Sequence, residues 1–255
     1  MYAFLSDLLA DKKGDIVFTC FGSWHLCYLF VAILIMVIVV LHLKKKDKET
    51  QQRACAMAIN CAFGLYMADI FLMPFAYGEI DIEKLPFHVC TTMCVMCFWS
   101  CHNAFLGRYR QHFALLGFVS NLVYMIYPAG LMWYQVHPLS YRVVQTLLFH
   151  GMMTIYGLLV LVFDDVRRER KRCRNDLTVI VGMTLWAVLG NALYTGQAWG
   201  RTNHFNWFFV LRDPFYILPE HMAPYVMPLI NITLFFVVEM LVYGVISCVR
   251  KVCRK

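Results

Sequence analysis

The stretch SWHLCYLFVAILIMVIVVLHL, residues 23–43, decides the class of this protein. It contains no Asp, Glu, Lys or Arg. At about 1.5 Å per residue, a helical run of this length crosses the roughly 30 Å hydrocarbon core of a bilayer. Backbone groups in lipid have no water to bond, so such a segment pairs them internally as a helix. Six further stretches repeat the pattern, near residues 54–75, 86–106, 112–134, 142–163, 177–197 and 222–249. The expected fold is therefore all-α. It is a polytopic membrane protein, a bundle of seven transmembrane helices with short connections, forming one domain over residues 1–255. No internal repeat is visible, which argues against an inverted-repeat transporter.

Composition supports this outside the spans. Of 255 residues, 60% are hydrophobic and only 15% charged, against about 25% charged in soluble domains. Mean hydropathy is +0.59. A soluble enzyme domain, a disordered chain and a nucleic-acid-binding module are excluded. The net charge of +7 is a topology signal instead. If the loops near 44–53, 108–110 and 167–174 and the C-terminal tail share one side, that side holds 17 of the 23 basic residues. The loop between the second and third spans carries Glu79, Asp81 and Glu83. The positive-inside rule then puts the N-terminus outside and the C-terminus in the cytoplasm. Residues 1–15 lack a basic region ahead of an apolar run and read as an amphipathic surface segment, with Phe4, Leu5, Leu8 and Leu9 on one side.

Polar side chains at membrane depth are the candidates for function. An ionised Asp at the centre of a span costs about 2.5–3.5 kcal/mol on insertion scales. The residues are Asp69, His88, Asn121, His150, Asn191, Asn231 and Glu239. Asp69, His88, His150, Asn191 and Tyr194 fall at one level toward the outer face, as a polar cavity in a bundle requires. The competing role is interhelical hydrogen bonding alone, worth about 0.6 kcal/mol each. Glu239 stands apart near the middle of the last span. It is either a protonated buried carboxyl or part of a proton or cation path.

Cys90, Cys94, Cys97 and Cys101 follow a 4-3-4 spacing along the third span. Four cysteines on one helix cannot close a tetrahedron around zinc. They read as small residues that let a neighbouring helix approach, and no metal or cofactor is expected. Cys90 differs because it lies beside His88. Pro86 suits a first helical turn, and in a regular helix His88 and Cys90 point about 200° apart. Cys90 would then take its base from His150, whereas His88 would pair with Thr91 or Thr92. The sequence leaves both pairings open. The outer loop, residues 198–222, contains Arg212-Asp213-Pro214, with Asp213 placed to cap a turn or orient a histidine. Pro219, Pro224 and Pro228 mark an irregular entry to the last span. Irregular backbone at this depth is tolerated where it lines a cavity, so the loop is expected to cover the polar pocket.

Leu85-Pro86-Phe87-His88-Val89-Cys90, His150-Gly151, and Asn191-Ala-Leu-Tyr194 followed by Arg212-Asp213-Pro214-Phe215-Tyr216 resemble the YwaF-like (TP-type) family of bacterial integral membrane proteins. That family is similar to an animal branch implicated as a membrane-embedded acyltransferase acting on ether phospholipids. The resemblance implies a bacterial plasma membrane, a Pro-x-His element carrying His88, and a span-5 histidine, His150. The animal branch is thought to use a Cys directly before the Pro-x-His histidine as its nucleophile, and here that position is Phe87.

The function expected is intramembrane acyl transfer or ester hydrolysis on a membrane lipid at the outer headgroup level. His150 would be the base and Cys90, Thr91 or Thr92 the nucleophile. His88 would hold the oxyanion, and Asp69 or Asp213 would fix a histidine tautomer. Asn191, Tyr194 and Arg212 complete the expected substrate contacts. The alternatives are a carrier or receptor using the same pocket without chemistry, with Glu239 coupled to protons, and a scaffold with no site.

Overall fold

A computed structural model of the chain describes residues 2–11, 15–132, 134–164, 170–194, 196–198, 201–203, 205–214 and 217–253. The fold is helical: α1 (Tyr2–Leu9), α2 (Ser23–Leu43), α3 (Lys48–Ala76), α4 (Val89–His102), α5 (Ala104–Gly107), α6 (Arg110–Ile126), α7 (Ala129–Met132), α8 (Tyr141–Phe163), α9 (Arg170–Tyr194) and α10 (Ala223–Cys253). A short antiparallel hairpin, β1 (Gly196–Ala198) with β2 (Arg201–Asn203), follows α9.

Among the described residues, five helices are long and apolar enough to cross a membrane: α2, α3, α8, α9 and α10. The expected third and fourth spans come out shorter, for visible reasons. Residues 85–88 stay outside α4, and His88 takes an extended conformation (φ −72°, ψ 143°) as the cap residue before Val89. The expectation that Pro86 opens the helix is thereby corrected. At the other end Asn103, also extended, stops α4 and caps α5 by accepting from Phe105 N and Leu106 N at 2.9 and 3.0 Å. What remains is a helix of 14 residues, about 21 Å long. The 17-residue α6 ends just before Pro128, whose ring cannot continue a helix.

The chain forms two compact units. The first comprises Met1–Ile82 and Ser120–Phe163, and the second Glu83–Val119 and Asp164–Lys255. Within the first, α3 packs along α8, while α1 rests on α3 and α2 touches α8. Phe18, Met125, Leu131, Val136, Val143 and Leu147 form its core, with Tyr28, Leu29 and Ala32 packed against them. The buried His25 joins this core. Its Nδ1 accepts from Phe21 N at 2.9 Å, so its Nε2–H donates to Met125 O at 2.9 Å. Helix α2 is apolar on every face, with a mean hydropathy of 3.0 in its best window. Leu26, Val31, Leu34, Ile35 and Ile38 are exposed on several sides of it, as side chains covered by lipid would be. Phe4 and Leu8 of α1 are exposed as well.

Asp47 starts α3 after the basic turn Lys44–Lys46. It accepts from Thr50 N at 2.7 Å and from Thr50 Oγ1 at 2.9 Å, and these bonds hold its carboxyl below the usual range. In the second unit α9 packs on both α4 and α10. The start of α10 carries Pro224 and Pro228. Pro224 lies in the first turn, where no intrahelical donor is needed, whereas Pro228 removes one rung of the ladder.

Candidate functional site

His150 is buried on α8, and its Nδ1 lies 2.7 Å from Asn121 Oδ1 on α6. An amide oxygen only accepts, so Nδ1 carries the proton and a neutral His150 keeps its lone pair on Nε2. The imidazole stacks on Tyr124, with ring centroids 3.8 Å apart and planes 14° apart. Thr154 Oγ1 donates to His150 O at 2.8 Å. One helix thus supplies the imidazole, and α6 supplies both the group that sets its tautomer and the plate that sets its plane. A base held by an orienting partner is the pattern general base catalysis uses.

The partner of His150 Nδ1 is Asn121, a residue the expected tautomer-fixing set of Asp69 and Asp213 did not include. Asp69 on α3 is buried, and its Oδ1 accepts from Tyr77 OH at 2.9 Å and Tyr141 OH at 3.1 Å. Tyr77 lies just past α3, where burial and then the Asp69 charge push its phenol well above its ordinary value. It therefore stays a donor. Beside it, the Arg142 guanidinium lies between the rings of Tyr77 and Tyr134, 4.0 and 3.7 Å from their centroids. Its Nε donates to Asp11 Oδ2 at 2.7 Å. Asp213, in the second unit, accepts from Ile217 N at 2.7 Å and Leu218 N at 2.9 Å. It is a turn cap, one of the two roles its sequence allowed.

The second unit carries His88, Cys90, Thr91 and Thr92 at the start of α4. Because His88 is extended, the 200° separation of His88 from Cys90 in a regular helix does not apply. Thr92 Oγ1 donates to Pro86 O at 2.6 Å, and Thr91 Oγ1 donates to His88 O at 3.1 Å. Both hydroxyl protons therefore hold the turn that leads into α4. Cys90 is half-buried, while Cys94 and Cys97 are fully buried and Cys101 is exposed.

Phe87 is walled by aromatic rings. Trp186, Trp207 and Tyr194 lie 5.0, 4.9 and 5.7 Å from its centroid. Trp186 Nε1 donates to Pro86 O at 2.6 Å, and Trp207 Nε1 donates to Glu83 O at 3.2 Å. The Phe87 ring lies directly on Gly190 of α9, where a Cβ would fall 2.3 Å from Phe87 Cδ1. Gly190→Ala is expected to cost about 1–3 kcal/mol through overpacking. Thermal unfolding of Gly190→Ala, Phe87→Ala and the double variant checks this: the pair should lose less than the sum of the singles. Simple additivity would contradict the contact.

Asn191 is also occupied. Its Oδ1 accepts from Trp207 N at 3.0 Å, and its Nδ2 donates to Trp207 O at 3.0 Å and Ala187 O at 2.8 Å. Asn231 on α10 donates to Phe208 O at 2.6 Å. Two asparagines therefore clamp the segment Trp207–Phe209, in which Phe208 and Phe209 have φ of 56° and 51°. Trp207 and Phe208 are buried, so this part of the 198–222 loop is built into its unit. Arg212 is exposed, and Tyr194 packs edge-on to Trp207. Phe215 and Tyr216 of the motif lie outside the described residues.

Sequence reasoning singled out Glu239 but missed the cluster beside it. His112 on α6 and Asp176 on α9 are buried, with Nδ1 2.5 Å from Asp176 Oδ1. Tyr243 OH on α10 donates to Asp176 Oδ2 at 2.9 Å. Glu239, one turn before Tyr243, is buried, and its Oε2 has no hydrogen-bond partner among the described residues. His112 and Asp176 sit at the ends of their apolar stretches, where a scan of span centres passes over them.

The family model that matches is described as the TMEM164 family, and it covers residues 20–243. The chain belongs to the TMEM164 family. With its long apolar helices, this membership makes it an integral membrane protein. The TMEM164 match takes in the Pro-x-His turn, His150, the asparagine clamp and Glu239. It carries no statement of activity and none of a relation to the YwaF-like family. No curated protein and no solved structure matches the chain.

Proposed function

We propose that this TMEM164-family protein is a membrane-embedded lipid-modifying enzyme that moves or hydrolyses an acyl group at an ester near the outer headgroup level. The observation that carries the reading is His150, whose tautomer is set by Asn121 and whose plane is set by Tyr124. A neutral imidazole with Nε2 free of its proton can take a proton from an attacking hydroxyl or thiol. It then returns that proton to the departing alkoxide, so charge balances over the cycle. In this reading Cys90 carries the acyl group; the Thr91 and Thr92 hydroxyls donate to His88 O and Pro86 O. The short helices α4 and α6 complete a seven-span bundle with its N-terminus outside and its C-terminus in the cytoplasm. A reporter fused to the C-terminus should respond only from the cytoplasmic side.

Lipid profiling of cells with and without the protein tests the activity, paired with mass spectrometry of the purified chain for a thioester at Cys90. The expected result is a change confined to acyl composition of one phospholipid class and an acyl adduct lost in Cys90→Ser. Identical lipid profiles would refute the enzyme reading.

One observation favours a second reading, a proton-coupled carrier. Glu239 is buried with an unpartnered oxygen near the Asp176–His112–Tyr243 cluster. Proton flux into vesicles containing the protein, abolished by Glu239→Gln, would favour the carrier over the enzyme.

A further inference from the structure

We propose that the second unit contains a binding site for a phosphate-bearing anion. It lies in the cavity between the turn leading from α5 to α6 and the first two turns of α9. The cavity has a volume of about 500 Å³ and is lined by Arg108, Gln111, His112, Arg172, Arg174 and Asn175, together with Tyr109. Three arginines and two amide-bearing residues line this space, and no carboxylate residue lines it among the described residues. The buried Asp176, next in sequence to Asn175, already pairs with His112 and accepts from Tyr243. Among the described residues no acid of the cavity lining offsets this positive charge, which suits an anionic ligand. Arg172 donates through one terminal nitrogen to Gln111 Oε1, while its buried Nε–H has no hydrogen-bond partner. A buried guanidinium donor without an acceptor is costly unless an anion meets it. Arg172 and Arg174 lie in the first turns of α9, whose dipole adds partial positive charge at the same end.

Tetrahedral phosphate suits such a set, because guanidinium forks match its oxygens in pairs. On the proposed orientation the cavity opens at the cytoplasmic surface, where basic pockets between transmembrane helices take anionic headgroups. That is the level opposite to the acyl-transfer chemistry, so the site does not depend on that reading. Its occupant is either the headgroup of an anionic phospholipid or free phosphate.

The test uses the full chain in nanodiscs of phosphatidylcholine, with and without phosphatidylglycerol, and with inorganic phosphate as competitor. Lipid retained on the protein is counted by native mass spectrometry. Two variants remove the same charge: one carries Arg108→Gln, Arg172→Gln and Arg174→Gln, the other Lys44→Gln, Lys45→Gln and Lys46→Gln in the exposed turn after α2. Each basic side chain near an anionic surface is worth roughly a fivefold change in affinity. The three arginines share one ligand, so their effects multiply to about a hundredfold loss of phosphatidylglycerol, whereas the lysines of the exposed turn meet separate lipids and their variant should lose less than about fivefold. Displacement by inorganic phosphate would identify free phosphate as an occupant, and resistance to it would identify the lipid headgroup; both support the site. Equal loss in the two variants, or equal retention of phosphatidylcholine and phosphatidylglycerol, would overturn it. Should the triple variant fail to fold, Arg174→Gln alone, at an exposed position, should still show the roughly fivefold loss.

Discussion

Replacing Asn191 by Leu should destabilise the protein by about 4 kcal/mol, since a buried donor and a buried acceptor each lose their partner at about 1–3 kcal/mol. The groups at stake are Trp207 N and Trp207 O, both bonded to the Asn191 amide. The next two residues, Phe208 and Phe209, hold left-handed backbone that bulky side chains disfavour. With the clamp gone, that strained backbone loses its hydrogen bonds to α9, and the aromatic wall around Phe87 loses a fixed Trp207. Thermal unfolding in detergent measures the loss. Leu189→Ala, at an exposed position on the same helix, serves as the comparison and should change stability far less. Because Asn231 grips the same segment through Phe208 O, Asn191→Leu and Asn231→Leu should be non-additive. An unfolding temperature for Asn191→Leu equal to that of the parent would show that the clamp does not hold the loop.

The second large effect concerns turnover. His150→Ala should lower acyl transfer or hydrolysis by about 10²–10⁴-fold, the usual contribution of a positioned base, while leaving the fold intact. Asn121→Leu is the sharper probe. It leaves the His150 ring in place against Tyr124 but removes the acceptor that keeps the proton on Nδ1. Turnover should fall by a smaller factor, and the pH–rate profile should move, because tautomer and basicity are no longer set by that bond. A purely structural asparagine would change stability without moving the profile. Full activity in His150→Ala would remove it as the base, and His150→Gln provides the same readout if the alanine variant does not fold.

Much of the fold was legible in residues 23–43 and their counterparts. An uncharged run as long as a bilayer is thick leaves the backbone one solution, and α2, α3, α8, α9 and α10 follow from it. The count of seven equal spans was less legible. Hydropathy does not register a cap, and the extended His88 and Asn103 shorten α4 without changing its apolar character. The candidate site divides the same way. His150 stood out as an ionisable group in an apolar helix, and Asn121 was visible as a polar one. Their hydrogen bond was not, because it joins residues 29 apart in sequence.

The sequence alone determined that this chain lives in a bilayer and which side chains pay a price for being there, since the free energy of transfer into lipid is a property of each residue type. Only the tertiary structure decided how each of those groups is satisfied. Asp69 met two phenols, Asn191 met a backbone segment, Asp213 capped a turn and His150 met an amide. A hydrogen bond needs two atoms within about 3 Å and in line, and that distance is fixed by how helices far apart in sequence pack, not by the composition of either one.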